Sequence, residues 1–360
     1  MKEKNIKADF KNSYMFSDSL SDKPLLDLVG NPYLINYKNN PGERMYLLLL
    51  SSDGHHKLFM NNLFYLDHEL DIEQVWYSDT DNYLQLLADE FDGACSIGID
   101  KNFPARFLIP LMNLVDECHF ELGSECVDRV RMIKDEKEQQ LMIEASKIND
   151  LVVDEVINIC AKGNLTEEEV SKQLEGIYQK HGCVGNSFEP IVAYGKNGAD
   201  NHHSGDDSRL KAGDSIVIDI GGLYKGYCSD MTRTVFYKEV SPKQKTVYEL
   251  VLKAQKAAEA MIKPGVRLCD IDKCARKVIS DESYGQYFTH RLGHFIGRDV
   301  HEYGDVSSVN DMEVEEGMIF SIEPGVYLEG DFGVRVEDLV MVTQDGCQVL
   351  NSFTKDIYII

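Results

Sequence analysis

The chain has 360 residues, 43% of them apolar and 27% charged, with 61 acidic side chains against 37 basic ones and a formal net charge of -24. That length exceeds what one compact core supports and predicts two domains; the apolar-to-charged balance excludes a disordered or fibrous chain. The negative charge repels phosphate backbones and anionic membrane surfaces, so nucleic acid is not an expected partner.

The apolar run Met45 to Leu50 is far shorter than the ~18 residues a membrane span needs. Residues Met1 to Phe10 are polar and lack the apolar core of a secretory signal, so no membrane association is expected and the cytoplasm is the expected compartment. Nine cysteines run from Cys95 to Cys347 with no Cys-x-x-Cys pair, which signals neither a disulfide framework nor a thiolate zinc site. Cys228, two positions before Asp230, is given no role.

Up to about Glu125, short apolar runs (Tyr46 to Leu50, Leu58 to Met60, Val75 to Tyr77, Ile97 to Ile99) alternate with polar turns, the pattern of a small α/β domain. Near Arg131 the character changes. Leu141, Ala145, Ile148, Val152, Val156 and Ile159 step by three or four, predicting an amphipathic helix that ends near Gly163. The domain boundary is placed there, giving residues 1–130 and 131–360. Thr166 with Glu169 forms a capping box for a second helix stopping by Gly182, and Ser241-Pro242 with Gln244 starts a third that stops before Pro264-Gly265. A fourth is expected after Asp270. Strand-like runs lie at Ser215 to Tyr224, Tyr227 to Tyr237, Met318 to Leu328 and Gly333 to Val342, making the C-terminal domain α+β. There is no fixed-period repeat.

Asp219 and Asp230 flank Lys225-Gly226, a two-residue hairpin turn; in that register Asp219 faces Thr232 and the two carboxylates become diagonal neighbours. Like charges inside an apolar hairpin repel and call for a cation. Exposed strand acids are common, and for this pair alone a solvent-facing role weighs as much. In Gly333-Val334-Arg335-Val336-Glu337, alternation sets Arg335 and Glu337 on one face. Glu323 ends the apolar run Ile319 to Ile322, where an unpaired carboxylate is costly. His290, His294 and His301 cluster beside Gly293 and Gly297; on a helix His290 and His294 would share a face, but Arg291 stands where a zinc-peptidase helix needs glutamate, so that motif is absent. Four carboxylates and an imidazole without thiolate suit a pair of hard or borderline cations such as Mn²⁺, Co²⁺ or Zn²⁺, which together can activate a water for hydrolysis.

The spaced order Asp219, Asp230, His294, Glu323, Glu337, set within Val217 to Gly221, Ser229 to Thr234, Gly293-His294 with His301, Ile322 to Gly325 and Arg335 to Asp338, resembles the pita-bread metallopeptidases: prolidases, aminopeptidase P and methionine aminopeptidases. The resemblance implies an α+β pita-bread catalytic domain, with Asp219 chelating one metal, Asp230 and Glu337 bridging both, and His294 with Glu323 binding the other. Glu323 would also accept a proton from the attacking water. His202, 17 positions before Asp219 and seven after Gly195, matches the family's outer histidine, with His203 one position off. His301 matches the histidine that contacts the substrate carbonyl, His290 resembles a further pocket histidine of the prolyl-specific members, and Arg335 would orient the carboxylates or the substrate.

The residues preceding this domain, including Ile97 to Asp100 and the helix from Arg131, resemble the smaller α/β creatinase-like N-terminal domain of the prolyl-specific members, which implies a homodimer and proline-containing peptide substrates. Two departures stand out: Phe295, where many relatives carry glycine, and Arg298, where they often carry leucine, both near enough in sequence to alter substrate fit. A Mn²⁺-dependent Xaa-Pro dipeptidase is the preferred expectation and an aminopeptidase P acting on longer peptides the alternative. A metal-free creatinase-like hydrolase and a non-catalytic peptide-binding module are remoter.

Overall fold

The computed structural model describes residues 13–17 (backbone path only), 44–51, 54–64, 70, 72–91, 93 and 95–360. The chain divides into two compact units, Met1–Arg131 and Met132–Ile360.

In the first unit, strands β1 (Ser13–Ser17), β2 (Leu47–Ser51), β3 (Lys57–Asn61), β4 (Glu73–Tyr77), β5 (Ser96–Ile99) and β6 (His119–Leu122) form one mixed sheet in the order β4-β3-β2-β1-β5-β6. Period-two alternation explains why both faces are buried. Leu47 and Leu49 pack with Phe107 and Leu111 of helix α2 (Ala105–Leu114), while Leu48 and Leu58 pack with Val127 of α3 (Glu125–Met132). A short α1 (Tyr83–Ala88) adds Leu87 to the first of these layers.

The second unit opens with α4 (Glu136–Cys160), where Asp135 and Glu138 close a capping box. Thr166 and Glu169 do the same for α5 (Glu167–Lys180), and Ser241 and Gln244 for α6 (Pro242–Glu259). The fourth helix, α7 (Leu268–Asp281), starts earlier than the expected position after Asp270 because Arg267, in extended backbone, takes the cap and Asp270 falls in the first turn. Helices α4 and α5 cover a sheet of β7 (Ile191–Tyr194), β8 (Ser215–Ile220) and β11 (Met231–Phe236) through Val152, Val156, Leu174 and Tyr178 against Ile216, Ile218 and Ile220. Helices α6 and α7 cover β14 (Ile319–Ile322), β15 (Gly325–Leu328), β16 (Phe332–Arg335) and β17 (Asp338–Val342) through Val247, Val251 and Ile271 against Phe320, Ile322, Val334 and Val340.

The four long strand-like runs are each interrupted. Gly221-Gly222 divides β8 from β9 (Leu223–Tyr224), Ser229-Asp230 divides β10 (Tyr227–Cys228) from β11, Glu323-Pro324 divides β14 from β15, and Val336-Glu337 divides β16 from β17. Three of the predicted metal-ligating carboxylates therefore sit where the sheet ladder lapses and the side chain is no longer bound to strict alternation. Among the described residues no helix is long and apolar enough to cross a membrane.

Candidate active site

The hairpin anticipated at Lys225-Gly226 forms, with both residues at positive φ and Tyr224 paired with Tyr227. Its register continues into β8 and β11, where Asp219 stands opposite Thr232. Asp230, at the head of β11, has its carboxyl raised well above the usual carboxylate range by burial, and nearby Asp219 raises it further.

His294 lies in the two-residue strand β12 (Gly293–His294), and neither it nor His290 is helical. A Cβ on Gly293 would meet the Ser321 carbonyl oxygen at 1.9 Å, so only glycine lets β12 approach β14 this closely. The His294 amide donates to Ser321 Oγ at 3.0 Å, and Ser321 Oγ in turn donates to Glu323 Oε1 at 3.3 Å. His294 Nδ1 lies 3.2 Å from the Phe295 carbonyl, an acceptor only, so Nδ1 carries the proton and Nε2 presents a lone pair. That nitrogen sits 3.5 Å from Asp230 Oδ2, 3.5 Å from Glu323 Oε1 and 4.0 Å from Glu337 Oε1. Burial holds the His294 pKa below its ordinary value, which leaves a neutral imidazole lone pair facing carboxylate oxygens.

Arg335 and Glu337 share a side as alternation predicts, even though the strand has lapsed between them: the Glu337 amide donates to the Thr232 carbonyl at 3.0 Å. Thr232 Oγ1 donates to Glu337 Oε2 at 2.7 Å. Burial raises the Glu337 carboxyl well above its ordinary range, with Asp230, Glu323 and Asp219 adding to it, and burial pushes Glu323 up from 4.5 to about 7. The guanidinium of Arg335 donates from Nη2 to Asp219 Oδ2 at 2.7 Å, from Nε to Thr232 Oγ1 at 3.0 Å and from Nη1 to the Tyr327 hydroxyl at 2.8 Å. Behind Glu337, buried Arg233 bonds the Glu337 carbonyl at 2.6 Å and Asp338 Oδ1 at 2.7 Å, which fixes the backbone that carries the carboxylate.

Every candidate residue lines one cavity of about 620 Å³. His290 stands on its wall with both ring nitrogens engaged, Nδ1 on the Arg291 carbonyl at 2.7 Å and Nε2 on the Tyr327 hydroxyl at 2.9 Å; burial pushes its pKa down to about 3. His301 is exposed on the solvent side, edge-on to the His294 ring with centroids 4.3 Å apart, and its pKa is lowered to about 4 by desolvation and by His294. His202 also lines the cavity. The concern over Phe295 and Arg298 is not met. Phe295 is fully buried against Phe320, and Arg298 stacks over Tyr227 5.7 Å from the ring centre, so neither lines the cavity. Sequence reasoning gave no role to Thr232, Ser321, Tyr327 or Arg291. The first two lie two positions from a candidate carboxylate on the same strand or its edge, which is the one signal that could have found them.

Asp230, His294 and Glu337 each offer a ligand atom within 4.8 Å of the others. Asp219 Oδ1, Asp230 Oδ1 and Glu337 Oε1 are buried without a hydrogen-bond partner among the described residues, and every carboxylate oxygen so orphaned there belongs to this site. Native structures leave few buried acceptors unsatisfied, and here the lone pairs converge. Residues 140–344 match metallopeptidase family M24, and residues 28–133 match the creatinase/prolidase N-terminal domain. The chain belongs to metallopeptidase family M24.

The chain is 43% identical over 241 residues to a putative dipeptidase of Bacillus subtilis, spanning 67% of this chain and 66% of that protein. Its fold matches the crystal structure of a dipeptidase from Pyrococcus horikoshii with a TM-score of 0.85 and 31% identity, over 97% of this chain and 96% of that one. It matches a prolidase from Thermococcus sibiricus with a TM-score of 0.85 and 31% identity, over 97% and 94% of the two chains. As an M24 metallopeptidase with this carboxylate and histidine set, the enzyme uses divalent metal, and the pita-bread domain preceded by a creatinase-type domain is its architecture.

Proposed function

We propose that the enzyme is a Xaa-Pro dipeptidase working with two divalent cations, Mn²⁺ first and Co²⁺ or Zn²⁺ as substitutes. The convergence of three orphaned carboxylate oxygens with the unprotonated Nε2 of His294 supports this reading. These donors fit hard or borderline cations. Asp219, Asp230, His294, Glu323 and Glu337 are the residues that would hold the pair. Bound there, such a pair supplies an activated water and stabilises developing negative charge.

The remaining steps belong to the chain's own residues. Glu323, at the edge of the cavity beside His294, would accept the proton of the attacking water and return it. His301, held neutral by desolvation, and His202 face the cavity as donors toward the scissile carbonyl and the substrate body. His290 acts through Tyr327 by steadying Arg335, which fixes Asp219.

A dipeptide carries its free carboxylate next to the bond that is cut, and a site for it needs an uncommitted cation. Arg291 lines the cavity, and its guanidinium has no hydrogen-bond or ion-pair partner among the described residues, whereas each guanidinium nitrogen of Arg335 already donates inside the protein and its charge is paired with Asp219. Arg291 therefore receives the C-terminal carboxylate, which favours dipeptides over longer peptides. The matches to residues 28–133 and 140–344, with the division at Arg131/Met132, support an N-terminal domain of residues 1–130 and a catalytic domain of 131–360. A cytoplasmic homodimer completes the reading by resemblance to the prolyl-specific enzymes, and light scattering during gel filtration tests the dimer.

Protein stripped with a chelator and refilled with Mn²⁺ is to be offered a Xaa-Pro dipeptide, the same dipeptide as its C-terminal amide, and a Xaa-Pro-Xaa tripeptide. Turnover of the dipeptide, with weak turnover of the amide, is expected. Turnover of the tripeptide alone would establish an aminopeptidase, and full activity in the stripped protein would establish a metal-free hydrolase.

A further inference from the structure

Glu167, the first residue of α5, is fully buried although it is a carboxylate, and it lies outside the cavity. Its two oxygens gather donors from a stretch of chain far along the sequence. Oε1 accepts from the Tyr194 amide at 2.6 Å and from Asn197 Nδ2 at 3.0 Å; Oε2 accepts from the Asp206 amide at 3.1 Å and lies 2.7 Å from His203 Nε2. Because a carboxylate only accepts, Nε2 is the protonated nitrogen of His203. The first amides of α5 complete the junction, Glu167 N donating to the Ser208 carbonyl at 3.3 Å and Glu168 N to the Asp206 carbonyl at 3.1 Å. One carboxylate and one helix start thus pin both ends of the segment from Tyr194 to Ser208.

That segment brings both His202 and His203 to the cavity. His202 is exposed, and its ring nitrogens have no hydrogen-bond partner among the described residues; its amide donates to Asp200 Oδ1 at 3.1 Å. The position of its ring is therefore inherited from the backbone on either side. On one side Asp200 N donates to the Asn197 carbonyl at 3.0 Å, and on the other stands His203, whose ring is tied to Glu167.

We propose that the Glu167–His203 pair is a positioning device that fixes the loop presenting His202 to the substrate. Resting on the dipeptidase reading for its catalytic consequence, the proposal gives the adjacent histidines different tasks: His202 meets substrate and His203 holds the backbone. Glu167, His203 and Asp206 have metal-ligand chemistry and lie within 4.8 Å of one another. The lone pairs of Glu167 are nonetheless taken by N–H donors, which makes the group an anchor and not a cation site.

The test uses the full-length, Mn²⁺-loaded protein with His203→Ala, His203→Gln, His202→Ala and the double variant His202→Ala/His203→Ala. Amide exchange in residues 195–206 is expected to speed up in His203→Ala with α6 unchanged, and to return toward the parent rate in His203→Gln, whose amide can still donate to Glu167. The kcat/KM for a Xaa-Pro dipeptide is expected to fall about 10- to 100-fold in His203→Ala, the range seen when an orienting partner is removed. The double variant is expected to be no worse than His202→Ala alone, because a residue that acts through His202 has nothing left to act on. Unchanged loop exchange in His203→Ala, or fully additive losses in the double variant, would overturn the proposal. Faster loop exchange in a protein whose parent form turns over no peptide would uphold the anchor while removing the dipeptidase reading.

Discussion

Arg335 Nη2 donates to Asp219 Oδ2 at 2.7 Å across 116 positions of sequence, and the Arg335 side chain is only 4% exposed. Removing one partner of such a pair leaves the other charge buried and unpaired, which costs about 3–5 kcal/mol. Arg335→Met is therefore expected to lower the unfolding free energy by that order, read as a lower urea midpoint at an unchanged slope of the transition. Arg335→Lys should recover only part of the loss, since one ammonium cannot serve Thr232, Tyr327 and Asp219 together.

Charge also sets how the metal-stripped protein responds to pH. Asp230 and Glu337 have carboxyls raised well above their ordinary values, and Glu323 rises from 4.5 to about 7, burial being the main cause in each. Raised acids bind more protons in the folded state than in the unfolded one. The Glu323 contribution is fully present below about pH 4.5 and is lost as pH climbs through about 7, while Asp230 and Glu337 act in the same direction. Melting of the stripped protein should thus weaken from pH 5 to 7.5, whereas Mn²⁺ should restore it at pH 7.5 with release of protons. A stripped protein that grows more stable over that range would contradict the placement of these carboxyls.

The cavity wall makes a contrast between two arginines. Arg291→Met is expected to raise KM for a Xaa-Pro dipeptide by about tenfold or more, the loss of one charge-assisted contact. The dipeptide amide should be barely affected. Arg298→Leu is expected to leave both substrates unchanged, because Arg298 covers Tyr227 and not the cavity.

Gly293 offers a steric test. Alanine there would drive a Cβ into the Ser321 carbonyl at 1.9 Å, moving β12 from β14 and His294 from its ligand position. Gly293→Ala is expected to destabilise by about 1–3 kcal/mol or more and to reduce metal retention measured after dialysis. Exposed Gly176 inside α5 has open space where its Cβ would go, so Gly176→Ala should instead stabilise by about 1 kcal/mol.

The helix starts at Asp135, Thr166 and Ser241 were legible because a capping box is a local event: a side chain three residues away satisfies the orphan amides wherever the helix packs. The register of Asp219 against Thr232 was legible for a similar reason, since the Lys225-Gly226 turn fixes which residues face each other. The stop at Glu323 was legible from the end of its apolar run, but the strand lapses at Asp230 and Glu337 were not, because a ladder ends where neighbouring strands diverge, and period-two patterning carries no record of that.

By itself, then, the sequence determined the spaced set of acids and histidines, the helix caps and the hairpin register, all of them consequences of chain geometry over a few residues or of side-chain chemistry. Only the tertiary structure decided which lone pairs converge without partners, that His203 is tied to Glu167 while the His202 ring beside it on the cavity wall is left without a partner among the described residues, and that Phe295 and Arg298 do not line that cavity. Those outcomes depend on which buried donors meet which acceptors across 36 positions at His203–Glu167 and 116 at Arg335–Asp219, and burial is a property of the packed chain that no local pattern of residue types contains.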